Sequence, residues 1–310
     1  MFYGSVAPNR PLSRVESVPL SPKSEKKIAL PRTYTLRPDG IYKPDSPVRH
    51  RDEEYDQAGF DVLLKMQERH FWYRGRNRFL LNAVVRRLAG LSEPLRAVDL
   101  GGGVGGWVSY LANELPGTFS TLALADSSLT ALNKAVAVLP PGTERYQVDL
   151  MDLGWERVWD VAFLLDVLEH LSDDSWAVRQ ASIALKPGGF LFVSSPALPF
   201  FWSYNDEFAH HVRRYTRKDF TKLALNCDLA LVEARYFMFL LSPLYWLSRK
   251  TMSIKKLSQD RKGKWAIKAH KISGYWVNET LAAIFALESP VGHFLRFPWG
   301  TSILGVFQKL

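Results

Sequence analysis

The sequence predicts an α/β fold built on a parallel sheet, and three observations carry that reading. Apolar strands alternate with helical segments from about residue 96 onward, the pattern of a parallel sheet covered on both faces. The first of these strands runs straight into a glycine-rich turn, "AVDLGGGVGGW" at residues 97–107, and then into a helix. Hydrophobic residues make up 47% and charged residues 23% of the 310, so the chain can build one large core of ordinary balance.

In order along the chain, residues 1–50 carry eight prolines, scattered serines and no apolar period. Residues 1–52 therefore read as a basic, proline-rich arm, either loosely attached or folded over an active site. The body of the protein is expected at 53–310. Residues 54–90 show apolar positions at helical spacing and end at Gly90, a helix stop. Strands are expected at 96–100, 121–126, 146–150 and within 159–168, and a fifth after "PGG" at 187–189. Helices are expected after the glycine loop, after the Ser127–Ser128 cap, and over "SWAVRQASIAL". Further on, 217–226 reads as a helix, 229–239 as a strand, 240–290 as mixed and helical, and 301–308 as the last strand.

The net charge of +9 is unevenly placed. Residues 1–51 hold ten Lys/Arg against four acidic residues, and 249–271 hold nine against Asp260, so the rest of the chain is acidic. An acidic body argues against a nucleic-acid partner, whose groove would be lined with positive charge. One cysteine, Cys227, excludes a disulfide framework. The N-terminus shows no signal-peptide pattern and no run of 18 apolar residues occurs, so a cytoplasmic protein is expected.

A strand, a glycine turn and a helix form a ligand cradle, with backbone amides and the helix N-terminus facing the ligand. G-x-G-x-x-G fits Gly101, Gly103 and Gly106, which alone leaves several cofactors open. The acidic residues narrow the choice. Asp99 precedes the loop and suits a ligand carrying an amine better than one carrying a pyrophosphate. Asp126 ends the second strand, where a carboxylate grips a ribose diol. Asp149 ends the third and is suited to an adenine amino group. Three carboxylates without an arginine cluster describe an adenosine with an amino-acid tail, which is S-adenosyl-L-methionine. Asp152, one turn further on, reads as a helix cap.

These segments resemble the class I S-adenosylmethionine-dependent methyltransferases. "VDLGGGVGG", "LALADSS", "QVDLMDL", "FLLDVLEHL" and "LKPGGFLFVSSP" match the family's motifs in order and approximate spacing over 96–196. The resemblance implies a three-layer Rossmann-like sheet of seven strands, the last antiparallel, here with an N-terminal arm and a helical insertion at 240–297. It places Gly101, Gly103 and Gly105 under the methionine and ribose, Asp126 on the ribose, Asp149 and the Leu150 backbone at the adenine, and the backbone near Asp166 at the amino group.

For catalysis the candidates are His170, which can take a proton from an oxygen or nitrogen nucleophile or else hold a loop from behind, and His211. "DVLEH" also resembles the E-x-x-E-H segment of ubiquinone-pathway O-methyltransferases, which can hold a divalent metal. Asp166 replaces the first glutamate and shortens that carboxylate, so no metal is expected. "WSYNDEFAHHVRRYTRKDF" (202–220) resembles an H-x-RRYT element of bacterial methyltransferases, in which His211 and Arg214 take the motif places. Tyr204 and Arg214 of this segment are candidates for binding the acceptor, unless it is a polar surface loop capped by Thr216 into the next helix, as "YTRKDF" also reads. In "HFWYRGRNRF" (70–79) Arg76 is a candidate partner for the cofactor carboxylate, and Trp72 and Tyr73 for shielding the sulfonium or binding the acceptor, unless the helix merely packs its aromatics on the sheet.

The insertion offers peripheral membrane contact through 240–271, a helical lid, or a homo-oligomer interface. The reading that follows is methyl transfer to an oxygen or nitrogen of a small-molecule or lipid-linked acceptor. Two alternatives stay open on the same scaffold. One is a different S-adenosylmethionine reaction, aminocarboxypropyl transfer or cyclisation releasing methylthioadenosine; the other is a non-catalytic cofactor-binding partner.

Overall fold

The computed structural model describes residues 32–48, 57–91, 93–250 and 274–310. In chain order the elements are β1 (Tyr34–Leu36), β2 (Tyr42–Pro44), α1 (Gln57–Arg69), α2 (Phe71–Leu88), β3 (Leu95–Leu100), α3 (Gly106–Glu114), β4 (Phe119–Asp126), α4 (Leu129–Ala135), β5 (Glu144–Gln147) and β6 (Trp159–Leu165). Then follow α5 (Asp174–Ala184), β7 (Leu185–Pro196), α6 (Tyr204–Phe208), α7 (Arg217–Asn226), β8 (Leu229–Phe237), α8 (Ser242–Lys250), α9 (Tyr275–Phe294) and β9 (Ser302–Lys309).

All strands join one sheet in the order β1-β2-β5-β4-β3-β6-β7-β9-β8. From β2 to β7 the neighbours pair in parallel, and β9 lies antiparallel between β7 and β8. This is the expected Rossmann-like sheet with its antiparallel last strand. Among the described residues the strands number nine rather than seven, because the β1–β2 hairpin adds two strands at the edge beside β5. These short pieces carry no apolar alternation, so no strand pattern marks them in the sequence.

The strands alternate as a two-residue period demands. Val98, Leu100, Ala162 and Leu164 point into one core, where α5 and α7 pack with Trp159 and Phe220. Ala97, Val161 and Phe163 point into the other, under α2, α3 and α9, with Phe79, Trp107 and Phe285.

The single helical pattern at 54–90 is in fact two helices broken at His70, whose backbone is extended (φ −71°, ψ 133°). Local capping and a distant residue hold the break. The His70 Nδ1 accepts from Trp72 N at 3.2 Å, while Asn278 of α9 accepts from Phe71 N and donates to the Arg69 carbonyl, both at 2.9 Å. Between β8 and β9 the described residues form α8 and α9. Most of the segment 240–271, for which membrane contact was one alternative beside a lid or an oligomer interface, lies outside the described residues. Among the described residues no helix is long and apolar enough to cross a membrane.

Candidate active site

A cleft of about 870 Å³ opens at the C-terminal ends of β3, β4 and β6 and beside the loop after β5, where parallel α/β sheets place their ligands. The glycine loop forms its floor. Gly101 (φ +76°) and Gly103 (φ +58°) take left-handed backbone, and Gly101 N donates to the Ala125 carbonyl at 2.7 Å. Asp126 is fixed by two backbone amides: Gly103 N donates to its Oδ2 and Ser128 N to its Oδ1, both at 2.8 Å. Asp149 accepts from Met151 N at 2.8 Å, which turns it at the same cleft.

Asp99, Asp126, Asp149, Asp152 and Asp166 line the cleft against two arginines, Arg32 and Arg76. Asp99 is 2% exposed and its Oδ1 has no hydrogen-bond partner among the described residues. Burial, aided by Asp126 and Asp166 and opposed by Arg76, pushes its carboxyl up to about 7.

Arg76 lies buried between the Trp72 and Tyr73 rings, 5.2 Å from each centroid, and its Nη1 donates to Asp166 Oδ2 at 2.5 Å. The guanidinium expected at a ligand carboxylate is thus already anchored at the cleft by a protein carboxylate. Asp166 itself has φ +59°, and its Oδ1 accepts from the Ser194 hydroxyl at 3.2 Å. Such backbone in a non-glycine residue costs free energy that the surrounding structure must hold in place, and it clusters at functional sites.

His170 ends a 3-10 turn, Leu168–His170, and lines the cleft. Burial first, and the neighbouring His211 second, lower it to about 4, so at neutral pH it is an uncharged imidazole able to accept a proton. His211 stands edge-on behind it, ring centroids 4.8 Å apart, with Nδ1 on Asp206 Oδ1 at 3.0 Å.

Four expected contacts lie elsewhere. His211 is outside the cleft wall, reaching it only through His170. Arg214 is 7% exposed and its fork is occupied: Nε and Nη2 donate to Asp206 at 2.7 and 3.0 Å, and Nη1 donates to the Ala197 carbonyl at 3.1 Å. It braces the wall behind His170 because a buried guanidinium needs a carboxylate partner. The Tyr204 hydroxyl accepts from Arg249 at 3.1 Å, off the cleft. Gly105 caps α3 with its vacant side against Leu139, so Gly102 rather than Gly105 joins the floor. Asp152 caps no helix; it pairs with Arg32.

The metal-competent group among the described residues is Glu169, His170 and His211, with ligand atoms within 4.8 Å of one another, and excludes Asp166. Glu169 is 1% exposed, accepts from the Ser195 hydroxyl at 3.0 Å, and is driven by burial well toward its neutral form. The sequence also gave no signal for Phe60, Leu63 and Gln67 of α1, or for Arg32, all on the cleft. Each is an ordinary residue type whose role depends on where its helix or hairpin lands.

Residues 71–234 match the family model described as a methyltransferase domain. The chain belongs to that family. It is an S-adenosylmethionine-dependent methyltransferase domain. A ubiquinone biosynthesis O-methyltransferase from Bordetella avium (strain 197N) is 27% identical over 150 residues, 45% of this chain and 61% of the relative. The matched region thus spans about three-fifths of the length of that curated relative. Two solved structures share the fold of this methyltransferase domain. One belongs to the Haloferax volcanii complex between the Trm112 methyltransferase activator and a methyltransferase, at a TM-score of 0.53 and 15% identity over 83% of this chain and 96% of that one. The other is Haemonchus contortus phosphoethanolamine N-methyltransferase 2 in complex with S-adenosyl-L-methionine, at 0.53 and 16% over 86% of this chain and 61% of that one.

The residues present fit the methyl donor of this family. A Cβ on Gly103 would meet nothing nearer than Leu63 at 3.8 Å, so the side of the loop facing α1 is open cradle. The unpartnered Asp99 oxygen and the excess of carboxylates suit a ligand with two cationic centres, and they oppose a pyrophosphate.

Proposed function

We propose that the protein transfers a methyl group from S-adenosyl-L-methionine to an oxygen or nitrogen of a small or lipid-linked metabolite. The observation that carries this reading is the pairing, in one cleft, of an acidic cradle with an uncharged, cleft-facing His170. In this reading Asp126 holds the ribose hydroxyls, and Asp149 with the Leu150 backbone meets the adenine. Asp99 and Asp166 face the amino group, and Arg76, steadied by Asp166 and flanked by Trp72 and Tyr73, meets the carboxylate. When bound, the donor supplies a methyl carbon activated by its sulfonium.

The protein's own part is alignment and proton handling. Fixed strand-end carboxylates hold the geometry for in-line attack, an effect that can reach about 7–11 kcal/mol in well-oriented systems. His170 Nδ1 or Nε2 accepts the proton of the attacking group. Its lowered pKa keeps it unprotonated but also makes it a weaker base, so this assistance falls at or below the low end of the usual range of roughly a hundred- to ten-thousand-fold. A hydroxyl acceptor needs that proton removed more than an amine does. The O-methyltransferase relative therefore favours oxygen as the first acceptor to try.

The test is calorimetry with S-adenosylmethionine, followed by mass spectrometry of reactions with hydroxylated and amino acceptors. Binding with release of S-adenosylhomocysteine is expected. Release of methylthioadenosine above the uncatalysed background would mean that another sulfonium bond breaks, and absence of binding would sink the reading.

A further inference from the structure

We propose that the β1–β2 hairpin is part of the methyl-donor site and that Arg32 closes its adenine end; this rests on the cofactor reading above. The hairpin is tied to the body at several points. β2 pairs with β5 through Tyr42 and Tyr146, Ile41 is fully buried, and the Tyr34 hydroxyl donates to the Leu153 carbonyl at 2.8 Å. The Tyr34 ring packs against Tyr146 and Trp155, at centroid distances of 5.6 and 5.3 Å.

Arg32 itself is fixed at both ends. Its N donates to the Gly154 carbonyl at 3.2 Å, and a Cβ on Gly154 (φ +65°) would lie 2.6 Å from Arg32 N, an approach only glycine permits. Its guanidinium pairs with Asp152 and donates to the Ser46 hydroxyl, and the side chain is 15% exposed. Arg32 and Pro47 then line the same cleft as Asp149, Leu150 and Asp152.

The topology separates this guanidinium from that of Arg76. Arg76 is anchored beyond β6 and Arg32 beyond β5, and β4 and β3 lie between. Three strand spacings of about 4.8 Å put the two strands that lead to the anchoring carboxylates roughly 14 Å apart. The two arginines therefore serve opposite ends of an extended ligand. At the amino-acid end Arg76 offers charge. At the other, a planar guanidinium whose charge is offset by Asp152 offers a flat face to a purine.

The experiment measures S-adenosylhomocysteine and methylthioadenosine binding by calorimetry to the full chain and to Arg32→Ala, Arg32→Lys and Asp126→Ala, with melting curves taken without ligand. Both ligands share the adenosine and only one carries the amino-acid tail. Arg32→Ala is expected to weaken both by the same factor, about tenfold, at an unchanged ligand-free melting temperature. Arg32→Lys keeps the ion pair but not the plane, and is expected to lose most of the same affinity. Wild-type binding by Arg32→Ala, or loss confined to S-adenosylhomocysteine, overturns the proposal while Asp126→Ala still binds weakly. Wild-type binding by Asp126→Ala as well would instead overturn the cofactor reading beneath it.

Discussion

At the scale of single residues, two side chains on the cleft are set by burial to titrate far from their ordinary values. His170 is lowered to about 4, so the imidazole stays uncharged and ready to accept a proton at any pH above about 5. At saturating donor, kcat should therefore show no fall near pH 6.5, declining only as the pH drops toward 4. His170→Ala should cut kcat by up to about a hundred-fold, the low end for a base weakened by its lowered pKa, with little change in donor affinity. A profile with a midpoint at 6.5, or an unimpaired alanine variant, would remove His170 from the chemistry. Asp99 moves the other way, up to about 7. Its carboxylate form attracts a cationic ligand and its neutral form does not. Donor affinity should thus rise between pH 6 and pH 8, a change that Asp99→Asn abolishes; calorimetry at the two pH values in both proteins measures it.

At the scale of elements, the α2–α9 pair decides how the front wall of the cleft is held. Gly75 sits where the two helices meet, and a Cβ there would lie 2.0 Å from the Phe285 ring. Phe285 is fully buried in the core beneath them and has no room to yield. Gly75→Ala should cost about 1–3 kcal/mol of stability by overpacking. Because Arg76 is the next residue, it should also loosen the Arg76–Asp166 contact and weaken donor binding. Urea unfolding reads the first effect and calorimetry the second; a variant as stable as the wild type would show that the helices separate easily. The break at His70 belongs to this scale too. Without Asn278 bridging Arg69 and Phe71, the helical period running from α1 into α2 has nothing distant to interrupt it.

At the scale of the whole molecule, pH acts on stability through histidines that the core holds neutral. His293 of α9 is stacked on Phe79 at 4.2 Å between centroids, with Nε2 on the Phe79 carbonyl at 3.0 Å, and burial lowers it to about 4. The unfolded chain protonates this group near 6.5 and the folded chain only near 4. Between those values the unfolded state binds more protons, so stability is full above about 6.5 and is lost as the pH falls toward 4. Each unit of difference corresponds to about 1.4 kcal/mol. The raised carboxyls of Asp99 and Glu169 act in the opposite sense, so the contribution of His293 is read by comparison. Between pH 7 and pH 5 the melting temperature of the wild type should fall more, or rise less, than that of His293→Gln, and equal slopes in the two proteins would contradict the assignment.

Five motifs in order made the sheet, the glycine loop and the donor carboxylates legible, because each depends on local features: a two-residue apolar period, a left-handed turn, an acidic strand end. Asp99, Gly101, Gly103, Asp126, Asp149, Leu150, Asp166 and His170 accordingly meet on one cleft. Local pattern does not determine which polar side chains pair with one another. "HHVRRYT" looks equally rich whether its arginine faces a ligand or a buried carboxylate, and only the packing of α6 against the strand ends puts Asp206 under Arg214. Nor does any period mark Arg32 or the edge hairpin, whose strands exist because β5 offers an open edge and Ile41 a buried anchor. The sequence by itself determined the fold class and the ligand cradle, whose causes lie within a few residues of one another. Tertiary structure decided the back wall of His170, the helix break at His70 and the closing of the cleft, since each joins groups that the chain keeps far apart and only the folded core brings within hydrogen-bond or packing distance.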